Sequence, residues 1–465
     1  MDQLNLEDIK ALYKFKDFLD EIDYGFVLNR ILGDEVFYVY PLPDFTYART
    51  EIKKISNSLG DIIEFFLLGI PKRIELIEEF ISNDIIECLL KLDILSRDEQ
   101  DYWLQNLLLI SHSNCYFFVS NVNYYPTCTK KEQTPYIGPD TFLLSKMIIN
   151  SCSGTILDVC TGNGIQAVLA ALTSEKVYAF DSDYYSVKIA TINTYINKVN
   201  QKVKVLQSDI NVTLANYNIE FDFIIVNPQV ISQSKKLRYQ LCYNIGQENN
   251  SVVDKIMSDL MPYLKDKGTF IMSGQSLGKD NILKIEETLI DKKYKLYVYG
   301  FIPINSFIEN NLESSNTLDD NKSFKDVLSW KNEVRHNYDG LYVFTIKVNG
   351  TYVNQEKNVI ESWVNENDIF STNILRIDKE NSYIIIGHNN ETFVTDEDIK
   401  SIILQLNGEL TYKEVLNSIP FNIRMKNASR GNSFFNIKCA KIFNALSRKG
   451  IIFKEGKDAK QTKFR

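Results

Sequence analysis

The sequence predicts an α/β protein, a Rossmann-like doubly wound sheet flanked by N- and C-terminal winged-helix-like α+β modules. Three observations carry this. From residue 155 short apolar runs, TILDV (155–159), KVYAF (176–180), VKVLQ (203–207), FDFIIV (221–226) and GTFIMSG (268–274), alternate with stretches of helical length. Strand–helix–strand repeats of this kind build a parallel sheet covered on both faces. Before them the chain reads as helices followed by a hairpin, and beyond about residue 358 as a hairpin followed by helices. A length of 465 residues has room for three such units, which we place at 1–125, 126–355 and 356–465.

In the first unit Ile62, Ile63, Phe66, Leu67 and Ile70 fall on helical spacing, and a second apolar helix is expected over 74–92. The segment 102–122 has strand character on either side of SHSN, a turn signal. The turn-rich stretch 124–139 marks the junction to the central unit. There, YKLYVYG (294–300) and GLYVFTIKV (340–348) supply the last strands, and the polar run NNLESSNTLDDNKS between them reads as a loop or lid over 303–336. In the third unit YIIIGHNNETFV (383–394) reads as a hairpin turned by HNN, followed by helices over 396–408 and 410–419 and a third within 437–453, whose end gives way to a strand.

Composition excludes several classes. Hydrophobic content of 44% and charged content of 24% are those of a folded globular chain. No run reaches the ~18 apolar residues of a membrane span; the longest candidate, near 62–70, is broken by Glu64 and stopped by Pro71. The acidic, polar start MDQLNLEDIK has no secretory pattern, and the seven cysteines form no CxxC pair or zinc spacing, so reduced thiols in a cytoplasmic protein are expected, with no metal site. Three isolated histidines argue against imidazole chemistry. Residues 421–465 carry 12 Lys or Arg against two acids, a basic tail on an acidic body. It would suit an anionic partner such as an acidic peptide, a carrier protein or RNA, or simply be a solvated surface.

The chemistry sits after the strands, where ligands bind in such sheets. The first strand leads into Asp158-Val-Cys-Thr-Gly-Asn-Gly164 and then a helix. Glycines there let backbone approach a ligand, and the helix start presents free N–H groups. The second strand ends in Phe180-Asp181-Ser182-Asp183, an acid placed to accept ribose hydroxyls, and the third in Gln207-Ser208-Asp209-Ile210. A nicotinamide site and an S-adenosylmethionine site both fit the glycines. The fourth strand separates them, ending in Asn227-Pro228-Gln229-Val230-Ile231-Ser232.

Together these motifs resemble class I S-adenosylmethionine-dependent methyltransferases of the Asn-Pro-Pro-Tyr-like amino-methyltransferase subgroup. Cys160 stands where a glycine is usual, Gln229 where the second Pro is, and Val230 where the aromatic is. The resemblance implies that Asp158 holds the methionine amino end, Asp181 the ribose and Asp209 the adenine amino group. Tyr136, Gly138, Thr161, Gly162, Gly164, Ser182, Ile210 and Asn227 would complete the cofactor site. It further implies that Asn227, through its side-chain oxygen, and Pro228, through its carbonyl, accept hydrogen bonds from a substrate NH2. Such orientation is much of what in-line methyl transfer needs. The segment from Pro135 to Asp140 resembles the one that approaches the methionine end. GIQAVLAA, NPQVIS and YNIGQENN are similar to a bacterial group carrying an N-terminal helical, winged-helix-like extension. The missing aromatic points away from a flat base and toward a specialised-metabolite or peptide substrate. RNA, DNA or a translation protein, an oxygen acceptor, and a non-catalytic cofactor-binding regulator are the alternatives. The last hundred residues resemble peptide-binding winged-helix modules, where a peptide adds a strand to the hairpin; DNA-binding and purely structural winged helices share the outline.

Overall fold

The structure, a computed structural model, describes residues 4–32, 58–120, 137–208, 219–228, 249–288, 294–304, 335–349, 355–361, 369–372, 374–379, 383–387, 392–395, 397–419 and 452–454, with a few single residues between them. Helix α1 (Leu6–Glu21) opens with a capping box between Asn5 and Asp8 and buries Ala11, Leu12, Phe15 and Leu19 along one face. It is followed by α2 (Tyr24–Leu32) and α3 (Ser58–Leu68). Gly69, at φ 64°, ends α3 and leaves Ile70 outside the helix to which its spacing assigned it. The single helix expected over 74–92 is two, α4 (Ile74–Phe80) and α5 (Asn83–Lys91). Ile81 and Ser82 between them are extended, with Ser82 at the N-cap of the second. Strands β1 (Lys72–Arg73), β2 (Leu95–Arg97) and β3 (Asp101–Leu104) form a small sheet in the order β1-β3-β2.

The expected hairpin follows as β4 (Leu107–His112) and β5 (Cys115–Ser120), closed by the pair His112 and Cys115. Ser113 and Asn114 turn it, both in left-handed backbone at φ 52° and 60°, the turn geometry that matches strand twist. Every residue of both strands is buried. Neither strand face is left to water.

The central unit starts with α6 (Pro139–Ile148) and alternates as anticipated through β6 (Thr155–Val159), α7 (Ile165–Ala171), β7 (Lys176–Asp181), α8 (Tyr184–Ile196), β8 (Val203–Gln207) and β9 (Phe221–Val226). Helix α9 (Asn249–Leu260), a long β10 (Leu264–Lys279), a two-residue β11 (Ile282–Leu283), β12 (Lys295–Pro303), β13 (Gly340–Asn349) and β14 (Glu356–Glu361) complete it. The strand order is β14-β12-β13-β10-β9-β6-β7-β8. Strands β6 to β10 are parallel to one another, and the order reverses between β6 and β9, which is where doubly wound sheets bind ligands. The sheet is not wholly parallel: β13 runs antiparallel between β10 and β12, a reversal that a pattern of apolar runs does not encode. Strand β14 joins β12 at the edge, just past residue 355. The run 310–323, read as a loop or lid, lies outside the described residues.

One buried cluster unites α1, α3, α5 and the hairpin with α7, α8 and one face of the central sheet. Phe15 lies 5.4 Å from the ring of Phe66 and 6.0 Å from that of Phe118. Each such fully buried side chain is worth about 1.5–3 kcal/mol relative to exposure, so the N-terminal unit is packed onto the sheet and not merely tethered to it. A second cluster, including Met257, Phe270, Leu296 and Phe344, fills the opposite face.

The C-terminal unit has its own core. Its elements are β15 (Ile369–Thr372), β16 (Ile374–Lys379), β17 (Tyr383–Gly387), β18 (Thr392–Thr395), α10 (Glu397–Ile403), β19 (Asn407–Thr411), α11 (Tyr412–Ser418) and β20 (Ile452–Lys454). The predicted hairpin is β17 with β18; α10 and α11 lie within the two expected helices, while β19 takes the end of the first and the start of the second, residues 407–411. Of the third helix only Phe443 and Leu446 are described, both in the core.

Candidate active site

The first strand of the alternation delivers Asp158 to the switch point fully buried. The chain then turns sharply, with Cys160, Gly162 and Gly164 in left-handed backbone at φ 57°, 57° and 79°. A Cβ on Gly164 would sit 3.0 Å from Ala190 of α8, so glycine here serves both the turn and the close packing of α7 against α8. Thr161 donates its hydroxyl to Asp158 Oδ2 at 2.5 Å, while Asp158 Oδ1 is buried without a hydrogen-bond partner. Burial and the neighbouring Asp181 carboxylate push Asp158 up to about 7 against the pull of the Thr161 bond.

Asp181, at the end of β7, accepts the Gly162 N–H at Oδ2 (2.9 Å) and the Asp183 N–H at Oδ1 (3.0 Å). Burial raises its pKa and these bonds hold it down. Each oxygen keeps a second lone pair for a further donor. Ser182 is exposed. Asp183 has a local task, since it caps α8 through the Ser186 N–H at 2.7 Å. Among the described residues no cluster of His, Cys, Asp and Glu is arranged to hold a metal. Tyr184 and Tyr185 begin α8 and are exposed. Cys160 is exposed as a residue, and the neighbouring Asp181 and Asp158 carboxylates help to raise its thiol, which disfavours the nucleophilic thiolate.

From the fourth parallel strand, Asn227 comes to lie beside β6, its N–H 3.4 Å from the Val159 carbonyl, with Pro228 following. Its side-chain Nδ2 donates to Thr141 Oγ1 of α6 at 3.2 Å, and its Oδ1 is buried without a partner. Gly138 is the buried N-cap of α6, and its N–H reaches the same Thr141 hydroxyl at 3.4 Å. Structure thus brings Gly138, Asp158, Thr161, Gly162, Gly164, Asp181, Asn227 and Pro228 to one end of the sheet. Tyr136, Asp209 and Ile210 lie outside the described residues. Sequence reasoning passed over Asp140, Thr141 and Gln275. Asp140 closed a quoted motif and Thr141 followed it, but nothing local signals that the start of α6 reaches Asn227 beyond the end of β9, and Gln275 lies within an apolar strand.

Two carboxylates, Asp158 and Asp181, thus stand together at the switch point, and Asp158 Oδ1 is buried without a hydrogen-bond partner; the pair is matched to a positively charged ligand with hydrogen-bond donors. S-adenosylmethionine, with its ammonium, its sulfonium and its ribose hydroxyls, meets that description, and the glycine turn leaves backbone room for it.

Residues 137–286 match the family model for the methyltransferase small domain. A ribosomal protein L11 methyltransferase of Carboxydothermus hydrogenoformans is 30% identical over 144 residues, 30% of this chain and 40% of that protein. A Methanocaldococcus jannaschii protein, named as a protein N5-glutamine methyltransferase, is 27% identical over 154 residues, 32% of this chain and 76% of its own length. Among solved structures, the tRNA m1G37 methyltransferase of M. jannaschii aligns at 12% identity and a TM-score of 0.30, over 53% of this chain and 57% of that one. The chain thus spans well under two thirds of the L11 relative. Over its central segment the chain carries a class I S-adenosylmethionine-dependent methyltransferase domain with S-adenosylmethionine as its cofactor.

Proposed function

We propose that this protein methylates a nitrogen atom of a peptide or protein substrate. The observation that carries the reading is Asn227 Oδ1, a buried acceptor without a donor at the switch point, whose amide is turned by the Thr141 hydroxyl so that oxygen and not nitrogen is left free. In this reading Asp158 Oδ1 takes the cofactor ammonium, Asp181 the ribose hydroxyls, and the turn at Thr161, Gly162 and Gly164 lies along the methionine. Gly138, Ser182, Tyr136, Asp209 and Ile210 complete the cofactor site. When bound, S-adenosylmethionine supplies an electrophilic methyl group on a sulfonium centre. Asn227 Oδ1 and the Pro228 carbonyl hold the acceptor NH2 so that its lone pair faces that methyl, orientation being the main requirement of in-line displacement.

The activities for which the relatives are named, on ribosomal protein L11 and on protein glutamine, support a peptide or protein over a small metabolite. We read the flanking units as winged-helix-like. The order α3, β1, α4, α5 and then the β2–β3 hairpin supports this for the first; hairpin β17–β18 with α10 and α11 supports it for the second. The C-terminal unit, with its 12 basic residues beyond 420, would dock an acidic substrate segment. Among the described residues no helix is long and apolar enough to cross a membrane. The test is transfer of labelled methyl from S-adenosylmethionine into a size-fractionated lysate, with Asn227→Ala as control. Label in peptides or proteins, absent with the variant, is the expected result; label in RNA or DNA would replace it with the nucleic-acid reading.

A further inference from the structure

At this end of the sheet four buried acceptors of the described residues have no hydrogen-bond partner: Asp158 Oδ1, Asn227 Oδ1, Asp140 Oδ1 and Gln166 Oε1. The first two have ligands in the reading above, and Asp140 belongs to the first turn of α6. Gln166 has no part in that reading. It is the second residue of α7, a helix otherwise made of Ile, Ala, Val and Leu, and it is 2% exposed. Burying an amide is costly unless its hydrogen bonds are made, and only one end of this amide is bonded. Its Nε2 donates to the Thr141 carbonyl of α6 at 2.9 Å. A carbonyl only accepts, so the nitrogen faces it and the oxygen is the end left over. A half-satisfied amide in an apolar helix goes against the local pattern, and such departures gather at functional sites.

The bond lands on the residue that orients Asn227. Thr141 is itself buried, and its hydroxyl takes the Asn227 amide at 3.2 Å. Its carbonyl and its Cβ hang from the same backbone turn, so fixing one fixes the other. Helix α7 in turn starts at Gly164, its N-cap and the last residue of the glycine turn. A continuous path therefore runs from that turn through Gln166 and Thr141 to Asn227. Helix α6 has a separate anchor one turn further on, where His112 of β4 meets the buried Ser145 hydroxyl at 2.8 Å. We infer that Gln166 is a positioning residue for methyl transfer: it ties the first turn of α6 to the helix that begins at the cofactor turn, and so keeps the Thr141 hydroxyl where it orients Asn227. The inference rests on the proposed role of Asn227. Cofactor and acceptor are then set by one chain of hydrogen bonds, and in-line transfer is sensitive to misplacements of about 1 Å.

Gln166→Met keeps the length of the side chain and removes the donor together with the orphaned oxygen. The variant is expected to melt no lower than wild type and to bind S-adenosylhomocysteine equally in calorimetry. Its rate of labelled-methyl transfer into the lysate fraction that wild type labels, at saturating S-adenosylmethionine, is expected to fall about 10-fold. The S-adenosylmethionine concentration giving half that rate should not change. In an Asn227→Ala background the same substitution is expected to cost nothing further, because residues that act as one unit are not additive. A merely structural contact would lower the melting temperature and cost the same factor in both backgrounds. Deuterium uptake at the Thr141 and Phe142 amides, which bond the Gly138 carbonyl, needs no substrate and is expected to quicken about fivefold. Wild-type turnover in Gln166→Met, equal losses in the two backgrounds, or unchanged uptake overturns the inference. Wild-type protein that labels no fraction strikes the proposed function instead, while the uptake still decides whether Gln166 holds that turn.

Discussion

Asn193 of α8 grips Phe118 of β5 by both of its main-chain polar groups, accepting the Phe118 N–H at 2.9 Å and donating to the Phe118 carbonyl at 3.0 Å. Asn197, one turn on, repeats this two residues back along the strand, with the Tyr116 N–H at 2.8 Å and the Tyr116 carbonyl at 2.7 Å. The helix spacing of four thus matches the strand spacing of two, and side-chain amides take the place of a neighbouring strand. The Asn193 amide also donates to the Asn163 carbonyl at 2.8 Å, inside the glycine turn. The N-terminal unit is thereby joined to the cofactor loop through one side chain.

Asn193→Ala strips the Phe118 peptide and the Asn163 carbonyl of buried partners, and each such loss costs about 1–3 kcal/mol. We expect the variant to unfold about 2–4 kcal/mol more easily and to bind S-adenosylhomocysteine more weakly. Denaturant titration with and without ligand measures both. Wild-type ligand affinity in the variant would mean that the loop is held by other contacts.

Cys160 occupies left-handed backbone at φ 57°, which costs a residue with a Cβ about 1–2 kcal/mol. Cys160→Gly should raise stability by about 1 kcal/mol without loss of cofactor affinity. A drop in melting temperature would show that packing of the thiol outweighs the strain.

Gly164→Ala meets two obstacles, φ 79° and a 3.0 Å approach to Ala190. A loss of about 1–3 kcal/mol and weaker cofactor binding are expected from thermal unfolding and calorimetry. If the variant behaved as wild type, the tight packing of α7 on α8 would not be a requirement.

Asp158 ionises only near pH 7 because it is buried beside Asp181. With its folded pKa raised above the unfolded value, the folded state holds this proton more tightly. The destabilisation from ionising it is therefore complete above about pH 7 and vanishes below about pH 4. A cationic ligand needs the ionised form, so affinity for S-adenosylmethionine should fall as pH drops below about 7, by up to tenfold per unit. Asp158→Asn should bind weakly at every pH and flatten that slope. A flat profile for wild-type protein would remove Asp158 from the ammonium site.

Much of this was legible in the chain. Four parallel strands were readable because each is an apolar run with its polar or glycine residues at the carboxyl end, and the SHSN turn because a two-residue turn there favours residues tolerant of positive φ. The Ser82 break between α4 and α5 was not, since apolar spacing continues across it and only the local backbone departs. The antiparallel placement of β13 was equally hidden, because strand direction depends on how the chain returns and not on which residues it contains.

At the site, the sequence by itself determined which residue types stand after each strand: Asp158 and the glycines, Asp181, Asn227 and Pro228. Local pattern suffices there, because a strand end followed by a helix start is a short-range event. Tertiary structure alone decided that α6 brings the Thr141 hydroxyl to Asn227 beyond the end of β9, which leaves the Asn227 oxygen free. It alone decided, too, that Asn193 grips a strand 75 residues away. Those contacts join groups far apart in the chain, and no spacing rule reaches across such distances; only the packing of one sheet face against the N-terminal core brings them within hydrogen-bond range.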